Sequence, residues 1–364
     1  MSATFVALSF LLGCKILNKK LIILIFILCL LFVGCSSQEQ TKYQAEFLNL
    51  FDTVTQIVGY DENEESFKEK VQLIHDDLEV YHKLYDIYND YEGINNIKTI
   101  NDNAGIKPVK VDKKIIDLLV LSKKMYEETN GYVNIAFGSV LNIWHDYREK
   151  SIDDPENAQI PPMDMLEEAA KHTDISKLII DEENQTVYLE DEKMRLDVGA
   201  IAKGYAVQRV ADSAKERGVE SVLLNVGGNV CSIGPKPDNK KWNVGLQNPK
   251  MDDKKPYIYK ILLENESLVS SGNYQRYFTV DGVNYHHIIN KDTLMPSNYF
   301  DAVSIICKDS GLADALSTAI YNLPYEEGLK LISKYENVEA IWVFEDESVK
   351  FTENFNDYVD DKVK

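Results

Sequence analysis

An acid, two glycines and a lysine lie close together between Asp197 and Gly204, in the stretch "DVGAIAKG". The pattern predicts the end of a strand, a tight turn and a helix whose first turn carries Lys203. A helix N-terminus presents unpaired N–H groups and partial positive charge, and both attract anions. A lysine in that turn opposes the helix dipole, so a bound anion would compensate for it. The alternative is a solvated lysine beside an ordinary turn.

The helical stretch "LADALSTAIY" carries a second polar group, made of Asp314, Ser317 and Thr318. Asp314 and Thr318 are four residues apart and therefore share one helix face. A carboxylate with hydroxyl and backbone oxygens suits a hard cation such as Mg²⁺, and the absence of a His/Cys cluster argues against zinc. The alternative is an acid that favours the helix dipole and a threonine that bonds back to its own turn.

Two adjacent histidines, His286 and His287, follow the stretch "RYFTVDGVNY". Side chains alternate along a strand, so the two rings are expected to face opposite ways. One ring would be structural while the other faces a cleft.

The elements that would position these groups follow from hydrophobic periodicity and turn residues. Helices are predicted at 66–91, 113–128, 201–217 and 311–321, and strands at 46–60, 186–190, 194–198, 221–230, 257–263, 267–272, 302–308 and 339–345. Asp281-Gly282 predicts a hairpin turn, and 151–164 reads as an exposed acidic loop. Helices mixed with antiparallel hairpins predict an α+β fold with largely antiparallel sheets and packed helices.

Composition limits the class of ligand. The 364-residue chain has a net charge of −20, which argues against nucleic acid as a partner. An anionic ligand would therefore need local positive potential from backbone N–H groups, a lysine or a metal ion. Outside the first 35 residues only Cys231 and Cys307 remain, and we expect core thiols in preference to a disulfide.

The N-terminal residues read as a targeting segment. Lys19 and Lys20 precede the apolar run "LIILIFILCLLFVGCSS", in which "FVGC" resembles a bacterial lipobox with Cys35 as the lipidated residue. The alternative is an uncleaved membrane anchor, although the run is shorter than the ~20 residues that a spanning helix needs. We therefore predict a lipid-anchored protein on the extracytoplasmic side of the cell membrane. The predicted divisions are a signal peptide at 1–35, a polar tether at 36–45, one catalytic unit at 46–350 and an acidic tail at 351–364.

Four ordered stretches together resemble the ApbE-type flavin transferases, which move FMN from FAD onto a threonine of a target protein. The stretches are "DVGAIAKGYA" at 197–206, "NVGG" at 225–228, "SSGNYQRYFTVDGVNYHHIINKDTLMP" at 270–296 and "ADALST" at 313–318. The N-terminal half adds "FDT" at 51–53, "YHKLYDIYNDYEGINNIKTIN" at 81–101 and "NGYVNIAFGSVLNIW" at 130–144. The resemblance implies a single ApbE-like, T-fold-related unit with FAD as substrate and Mg²⁺ as cofactor.

The resemblance also implies a role for particular residues. Residues expected to contact FAD are Thr53, Tyr88, Val133, Asn134, Ile135, Asp197, Lys203 and Ile288. Residues expected to hold Mg²⁺ are Ala200, through its carbonyl, with Asp314, Ser317 and Thr318, and the expected catalytic residues are His287 and Asp314. The chain departs from the family where Asn134 replaces an aspartate and where Asn290-Lys291 replaces Asp-Pro.

The implied reaction transfers FMN from FAD through a phosphodiester bond to a threonine of an acceptor, with AMP as the other product. By resemblance, acceptors are subunits of Rnf-type or Na⁺-pumping redox complexes or other FMN-binding domains. One alternative is an FAD pyrophosphatase that uses water in place of threonine. Another is a non-catalytic flavin-binding lipoprotein, which would have little need for the "ADALST" face.

Overall fold

The computed structural model describes residues 40–360, and the predicted lipidation residue Cys35 lies outside them. Strand β1 begins at Thr41, within the segment predicted as a tether, and the fold continues past residue 350. Phe355, in the predicted acidic tail, is fully buried. Within residues 40–360 no helix has the length and apolar character to cross a membrane.

A large antiparallel sheet forms the centre of the fold. Its eight strands run in the order β1-β2-β6-β7-β10-β13-β14-β15, and each adjacent pair is antiparallel. The strands of this sheet are β1 (Thr41–Leu50), β2 (Thr53–Asp61), β6 (Val222–Val226), β7 (Asn229–Ile233), β10 (Ser267–Gly272), β13 (Ala302–Cys307), β14 (Glu339–Val343) and β15 (Val349–Phe351).

Three smaller sheets surround the main sheet. Their strands are β3 (Val109–Lys110), β4 (Leu178–Asp181), β5 (Thr186–Leu189), β8 (Trp242–Gln247), β9 (Tyr257–Leu263), β11 (Tyr277–Val280) and β12 (Val283–His286). The order β3-β5-β4 forms one sheet, and β8-β9 and β11-β12 are two-stranded hairpins. These antiparallel sheets with packed helices confirm the predicted α+β class.

Eight α-helices lie in the described part of the chain. They are α1 (Glu64–Tyr85), α2 (Ile97–Asp102), α3 (Lys113–Glu128), α4 (Gly138–Asp153), α5 (Met163–Ala170), α6 (Ala202–Glu216), α7 (Ser310–Tyr321) and α8 (Tyr325–Ile332). The predicted helices at 113–128, 201–217 and 311–321 are confirmed to within one residue at each end. Gly218, which has a positive φ of 86°, follows α6 as a helix terminator does.

The two faces of the main sheet are covered by different partners. On one face, α6 and α7 pack on strand residues such as Val269, Ile305 and Leu224. On the other face, the β8-β9 hairpin packs on Leu268 and Ile306. This alternation of inward residues along β10 and β13 is the period of two that a strand imposes.

Several predicted elements differ from the structure. The single strand at 46–60 is two strands, because Phe51 and Asp52 adopt positive φ and turn the chain back on itself. The predicted strand at 194–198 is wrong, since only an isolated bridge between Arg195 and Phe137 forms there. The loop expected at 151–164 begins inside α4, a helix that the sequence analysis did not predict.

Two local predictions are confirmed. Asp281 and Gly282 both have positive φ at the β11-β12 turn, and glycine adopts that conformation without steric cost. Cys231 and Cys307 are free, buried thiols on the two strands that flank β10.

Candidate active site

A cleft with a volume of ≈ 720 Å³ opens between the main sheet, the first turn of α6 and the β8-β9 and β11-β12 hairpins. This volume lies within the range of small-molecule and cofactor sites. Predicted site residues that line the cleft are Thr53, Tyr88, Asn134, Asp197, Ala200, Lys203, His287, Ile288, Asp314 and Thr318. Positions more than 250 residues apart in the chain are therefore brought to one site.

The turn before α6 is held by its own aspartate. Oδ1 of Asp197 accepts a hydrogen bond from the Gly199 N–H at 2.8 Å, and the Asp197 N–H donates to the Ile135 carbonyl at 2.8 Å. Burial raises the pKa of Asp197 above its ordinary value, although that Gly199 N–H and the positive charges nearby oppose the shift. The carboxylate is therefore poorly solvated. A ligand in the cleft that donates a hydrogen bond to it would stabilise its charged form.

Asp314 caps the start of α6. The helix makes its first internal hydrogen bond from the Tyr205 N–H to the Ile201 carbonyl, so the Gly204 N–H is one of the donors that a helix start leaves unpaired. The Gly204 N–H donates to Oδ2 of Asp314 at 2.8 Å. Among the described residues no backbone N–H donates to the carbonyl of Ala200, a residue that lines the cleft.

Gly204 allows this contact because it has no side chain. A Cβ at this position would lie 2.2 Å from the Ser310 carbonyl oxygen and 2.4 Å from Cβ of Asp314. The close approach of α6 to α7 therefore depends on glycine at this position. Gly199 is different, since its Cβ would meet only Oδ1 of Asp197 at 3.0 Å.

The metal-binding prediction can be compared with these oxygens. Asp314 is only 5% exposed, and no hydrogen bond to its Oδ1 is present within residues 40–360. Ala200, Asp314 and Thr318 line one cleft and offer carbonyl, carboxylate and hydroxyl oxygens, the donor types that Mg²⁺ takes. The set contains a single carboxylate, and residues 40–360 contain no group of three or more His, Cys, Asp or Glu arranged for a metal ion. The residues therefore fit a cation that also binds substrate phosphates.

Ser317 is not placed with the other predicted metal ligands. Its side chain is fully buried, and its hydroxyl donates to the Asp314 carbonyl at 2.9 Å and bonds to the Ser271 hydroxyl at 2.8 Å. Ser317 does not line the cleft. The physical reason is the helix period: Asp314 and Thr318 share a face, whereas residue 317 is rotated toward β10.

Lys203 extends from the first turn of α6 toward β7. Its Nζ donates to Oδ1 of Asn229 at 3.1 Å. Asn229 is 1% exposed, and its Nδ2 has no hydrogen-bond partner among the described residues. The asparagine holds the ammonium group at the cleft without neutralising its charge, so the positive potential stays available to an anion.

The two histidines both line the cleft, but His286 is buried and His287 is exposed. His286 is buried, its Nδ1 accepts from the Ile288 N–H at 3.2 Å, and its Nε2 lies 2.6 Å from the Ser297 carbonyl. Because a carbonyl can only accept, Nε2 carries the proton, and both ring nitrogens are engaged within the protein. His286 is therefore a structural side chain in the described fold.

His287 lies against the cleft at the end of the β11-β12 hairpin. Its Nδ1 is 3.3 Å from the Arg276 carbonyl, which also accepts the His287 backbone N–H at 3.2 Å. The carbonyl requires the proton on Nδ1, which leaves the lone pair on Nε2. The ring is exposed in the cleft. Desolvation at the cleft wall, with the positive charge of Arg276 nearby, lowers the pKa of His287 below its ordinary value and favours the neutral ring.

The predicted FAD contacts at 133–135 are only partly at the cleft. Val133 and Ile135 are fully buried and do not line it, because their side chains point into the core beneath. Asn134 does line the cleft, but its Nδ2 donates to the Thr173 carbonyl and its Oδ1 accepts from the Ala136 N–H. Thr53 packs against the Gly227 backbone, and Tyr88 packs on His145 with ring centroids 4.8 Å apart.

Several residues that line the cleft were missed by sequence reasoning. Arg276 donates to the Asp52 carbonyl at 3.1 Å, and His145 and Arg148 project from α4. Trp144, Phe278 and Tyr285 form an aromatic cluster in the same wall. Arg276 sits inside the quoted "SSGNYQRYF" stretch, where a charge beside a Gly/Ser turn was an available signal. The α4 residues could not be recognised as site residues from the sequence, because that helix was not predicted.

The fold and the cleft define an α+β protein with a ligand-sized cleft at a helix N-terminus. The model of the ApbE family matches residues 51–342, so the chain belongs to the ApbE family.

Relatives and solved structures agree with this family. The chain is 32% identical over 249 residues to a Klebsiella pneumoniae protein named FAD:protein FMN transferase, which covers 68% of this chain and 74% of that protein. A Treponema pallidum protein of the same name is 31% identical over 277 residues, covering 72% of this chain and 74% of the relative. The ApbE protein of Thermotoga maritima superposes with a TM-score of 0.77 at 27% identity, over 88% of this chain and 100% of that one.

Proposed function

We propose that this chain is an FAD:protein FMN transferase that moves the FMN part of FAD onto a threonine hydroxyl of an acceptor protein and releases AMP. Family membership and the names of its relatives support the transferase class. The observation that carries the proposal is a cleft lined by Ala200, Lys203 and Asp314, in which Asp314 caps the start of α6 and the Ala200 carbonyl accepts no backbone N–H among the described residues. Such a site suits a diphosphate.

The proposal includes Mg²⁺ as cofactor. The Ala200 carbonyl, the free carboxylate oxygen of Asp314 and the Thr318 hydroxyl would hold the ion, and FAD phosphates and water would complete its coordination. When bound, the ion neutralises the charge that develops on the phosphate oxygens. The rest of the positive potential comes from Lys203 and from the unpaired N–H groups at the start of α6.

The proposed reaction is a phosphoryl transfer. The threonine oxygen forms a bond to the FMN-side phosphorus of FAD, the bond from that phosphorus to the AMP oxygen breaks, and AMP leaves. In such reactions positioning and electrostatic stabilisation supply most of the rate enhancement. Lys203, held by Asn229, and Asp197, held by Gly199, fix the two sides of the anion-binding turn.

His287 is proposed to take the proton of the attacking hydroxyl. Its Nδ1 faces the Arg276 carbonyl, so the lone pair of Nε2 is the acceptor directed away from that contact. The lowered pKa of His287 favours the neutral ring, the form that can accept a proton. His286 cannot share this role in the described fold, because both of its nitrogens are already bonded.

A mass-spectrometric assay tests the proposal. The protein is incubated with FAD, Mg²⁺ and a candidate acceptor, such as a soluble domain of an Rnf-type or Na⁺-pumping redox-complex subunit. We expect FMN attached to one threonine, and no attachment with the Asp314→Asn variant. FMN and AMP formed at the same rate without acceptor would indicate a pyrophosphatase, and bound FAD without turnover would indicate a carrier. Either outcome would overturn the proposal.

We further propose that the mature protein is anchored through a lipid on Cys35 at the extracytoplasmic side of the cell membrane. The basic residues, the apolar run and the "VGCSS" sequence support this location. Metabolic labelling with a palmitate analogue and membrane fractionation test it. Label on the wild type and loss of label with Cys35→Ser are expected. Equal labelling of the two would contradict the assignment.

A further inference from the structure

The β8-β9 hairpin contributes one wall of the cleft, through Val244, Gly245, Leu246 and Gln247. Strand β8 pairs with β9 on one side only, because the hairpin is a two-stranded sheet. Its sequence, "WNVGLQ", contains no charged residue and no proline. Exposed edge strands are commonly protected by lysine, proline or other charges, and β8 has none of them.

The direction in which the backbone N–H and C=O groups of β8 point can be inferred from a hydrogen bond on the far side of β9. There the Asp360 N–H donates to the Lys260 carbonyl at 2.9 Å, so Lys260 directs its backbone groups away from β8. Lys260 is opposite Gly245 in the antiparallel ladder. In such a ladder, opposed residues direct their backbone groups either toward each other or both outward. Gly245 therefore directs its N–H and C=O outward, and by the same alternation so does Asn243.

These outward groups have no hydrogen-bond partner within residues 40–360. No backbone or side-chain hydrogen bond reaches the N–H or C=O of Asn243 or Gly245. At the end of the strand, Gln275 Nε2 lies 3.5 Å from Gln247 Oε1, and a bulge interrupts the ladder between Leu246 and Gln247. The open edge is thus the stretch from Asn243 to Leu246, with donors and acceptors repeated every second residue.

We propose that this edge of β8 receives an extended segment of the acceptor protein as an added strand and thereby presents its threonine to the cleft. The inference rests on the proposed function, since it assigns the partner of the same site. Addition of a strand to a sheet edge uses backbone hydrogen bonds for affinity and alternate side chains for specificity. The chemistry required of the partner is an extended, proline-free segment with a threonine.

Because the edge lies at the cleft, a segment of the acceptor protein is the partner that it would bind. The side chains of Val244 and Leu246 face the main sheet, and an added strand would direct alternate side chains the same way, into the cleft. The outer strands of the main sheet are different, because β1 carries Lys42 and Glu46 and β15 carries Lys350. Lys250 fixes the loop after β8 by an ion pair with Asp301 at 2.8 Å, which holds the edge at the cleft.

Paired variants test the proposal. Proline at an outward position removes the N–H while the strand survives, and alanine keeps the N–H. Asn243→Pro is compared with Asn243→Ala, since both lose the side-chain contact to Asp360. The substrate is a soluble Rnf-type domain that the wild-type protein flavinylates. We expect the KM for this acceptor to rise about five-fold in the proline variant relative to alanine, the effect of one lost hydrogen bond. FAD affinity should be equal in the two.

Hydrogen exchange gives an independent measurement on the wild-type sequence of β8. With the Asp314→Asn variant and saturating acceptor domain, the amides of Asn243 and Gly245 should exchange more slowly than without acceptor. Equal acceptor KM in the proline and alanine variants, or unchanged exchange at saturation, would overturn the proposed edge while leaving the transferase proposal intact. Failure of the wild type to flavinylate any acceptor would instead refute the proposed function.

Discussion

Two parts of the cleft wall differ in how they are built. The turn at Asp197–Lys203 with Asp314 presents backbone N–H and carbonyl groups that helix ends leave unpaired. The segment 133–135 presents one side chain, that of Asn134, between two that are buried. The geometry of the first part depends on the positions of glycines and on the start of a helix. The geometry of the second part depends on which side chains reach the surface of the cleft. Backbone-built sites are therefore the more strongly constrained by sequence.

The difference also explains where charge is used. At the α6 turn, Asp314 accepts the Gly204 N–H, and this single bond joins two helices and satisfies a donor that the helix start leaves unpaired. At 133–135, the side-chain atoms of Asn134 hold the local loop, through Thr173 and Ala136. A change in the first part should affect phosphate chemistry, whereas a change in the second should affect mainly the shape of the cleft.

The largest effect is expected when the charge of Asp314 is removed. Asp314→Asn retains an oxygen that can accept from the Gly204 N–H but loses the carboxylate. We expect transfer to fall at least about 100-fold, because metal stabilisation of the transition state supplies several kcal/mol. Steady-state transfer rates at saturating Mg²⁺ measure the effect. The matched control, Asn134→Ala, should retain most of the activity, and equal losses in the two variants would contradict the distinction.

His287→Ala should produce the next largest effect. General-base catalysis typically contributes about 100-fold or more, so the transfer rate should fall by that order while FAD affinity changes less. Desolvation at the cleft wall lowers the pKa of His287, so the ring should not become protonated between pH 8 and pH 6. The value of kcat/KM for FAD should therefore show no loss from protonation of His287 in this range. Equal losses in rate and in FAD affinity would show that His287 only shapes the cleft.

Two alanine substitutions test how much the α6 turn depends on glycine. Gly204→Ala forces a Cβ against the Ser310 carbonyl and Asp314, and we expect a loss of about 1–3 kcal/mol in the free energy of unfolding. Gly199→Ala meets only the side chain of Asp197 and should cost less than half as much. Chemical denaturation measures both. Similar values would mean that the α6–α7 contact is not tightly packed.

The smallest effect is expected at Asp197. Desolvation raises the pKa of the partly buried Asp197, so its charge destabilises the fold near neutral pH, and this cost declines as the pH falls through the raised pKa toward the ordinary value of an aspartate. Asp197→Asn should therefore raise the melting temperature by roughly 2 °C at pH 7 and by less at pH 4. FAD affinity should fall at the same time. A lower melting temperature at pH 7 would contradict this account.

The sequence allowed prediction of the turn before α6 and of the helix face shared by Asp314 and Thr318, because both depend on local periodicity. Strand alternation also predicted one buried and one exposed histidine, and His286 is buried while His287 is exposed. Positions that depend on tertiary packing were not predictable. The helix α4, which supplies Trp144, His145 and Arg148, has a weak apolar pattern. Ser317 and Ile135 looked like site residues by motif, and only the packing of α7 and of the core shows that their side chains are buried.

The central claim is that the Ala200 carbonyl, Asp314 and Thr318 would together hold a divalent ion at the diphosphate of FAD. Anomalous diffraction from crystals grown with FAD and Mn²⁺ tests this claim most directly. We predict one peak about 2.0–2.3 Å from all three protein oxygens and from a phosphate oxygen of FAD. FAD bound in the cleft with no peak there, or with the ion bound by other residues, would contradict the account.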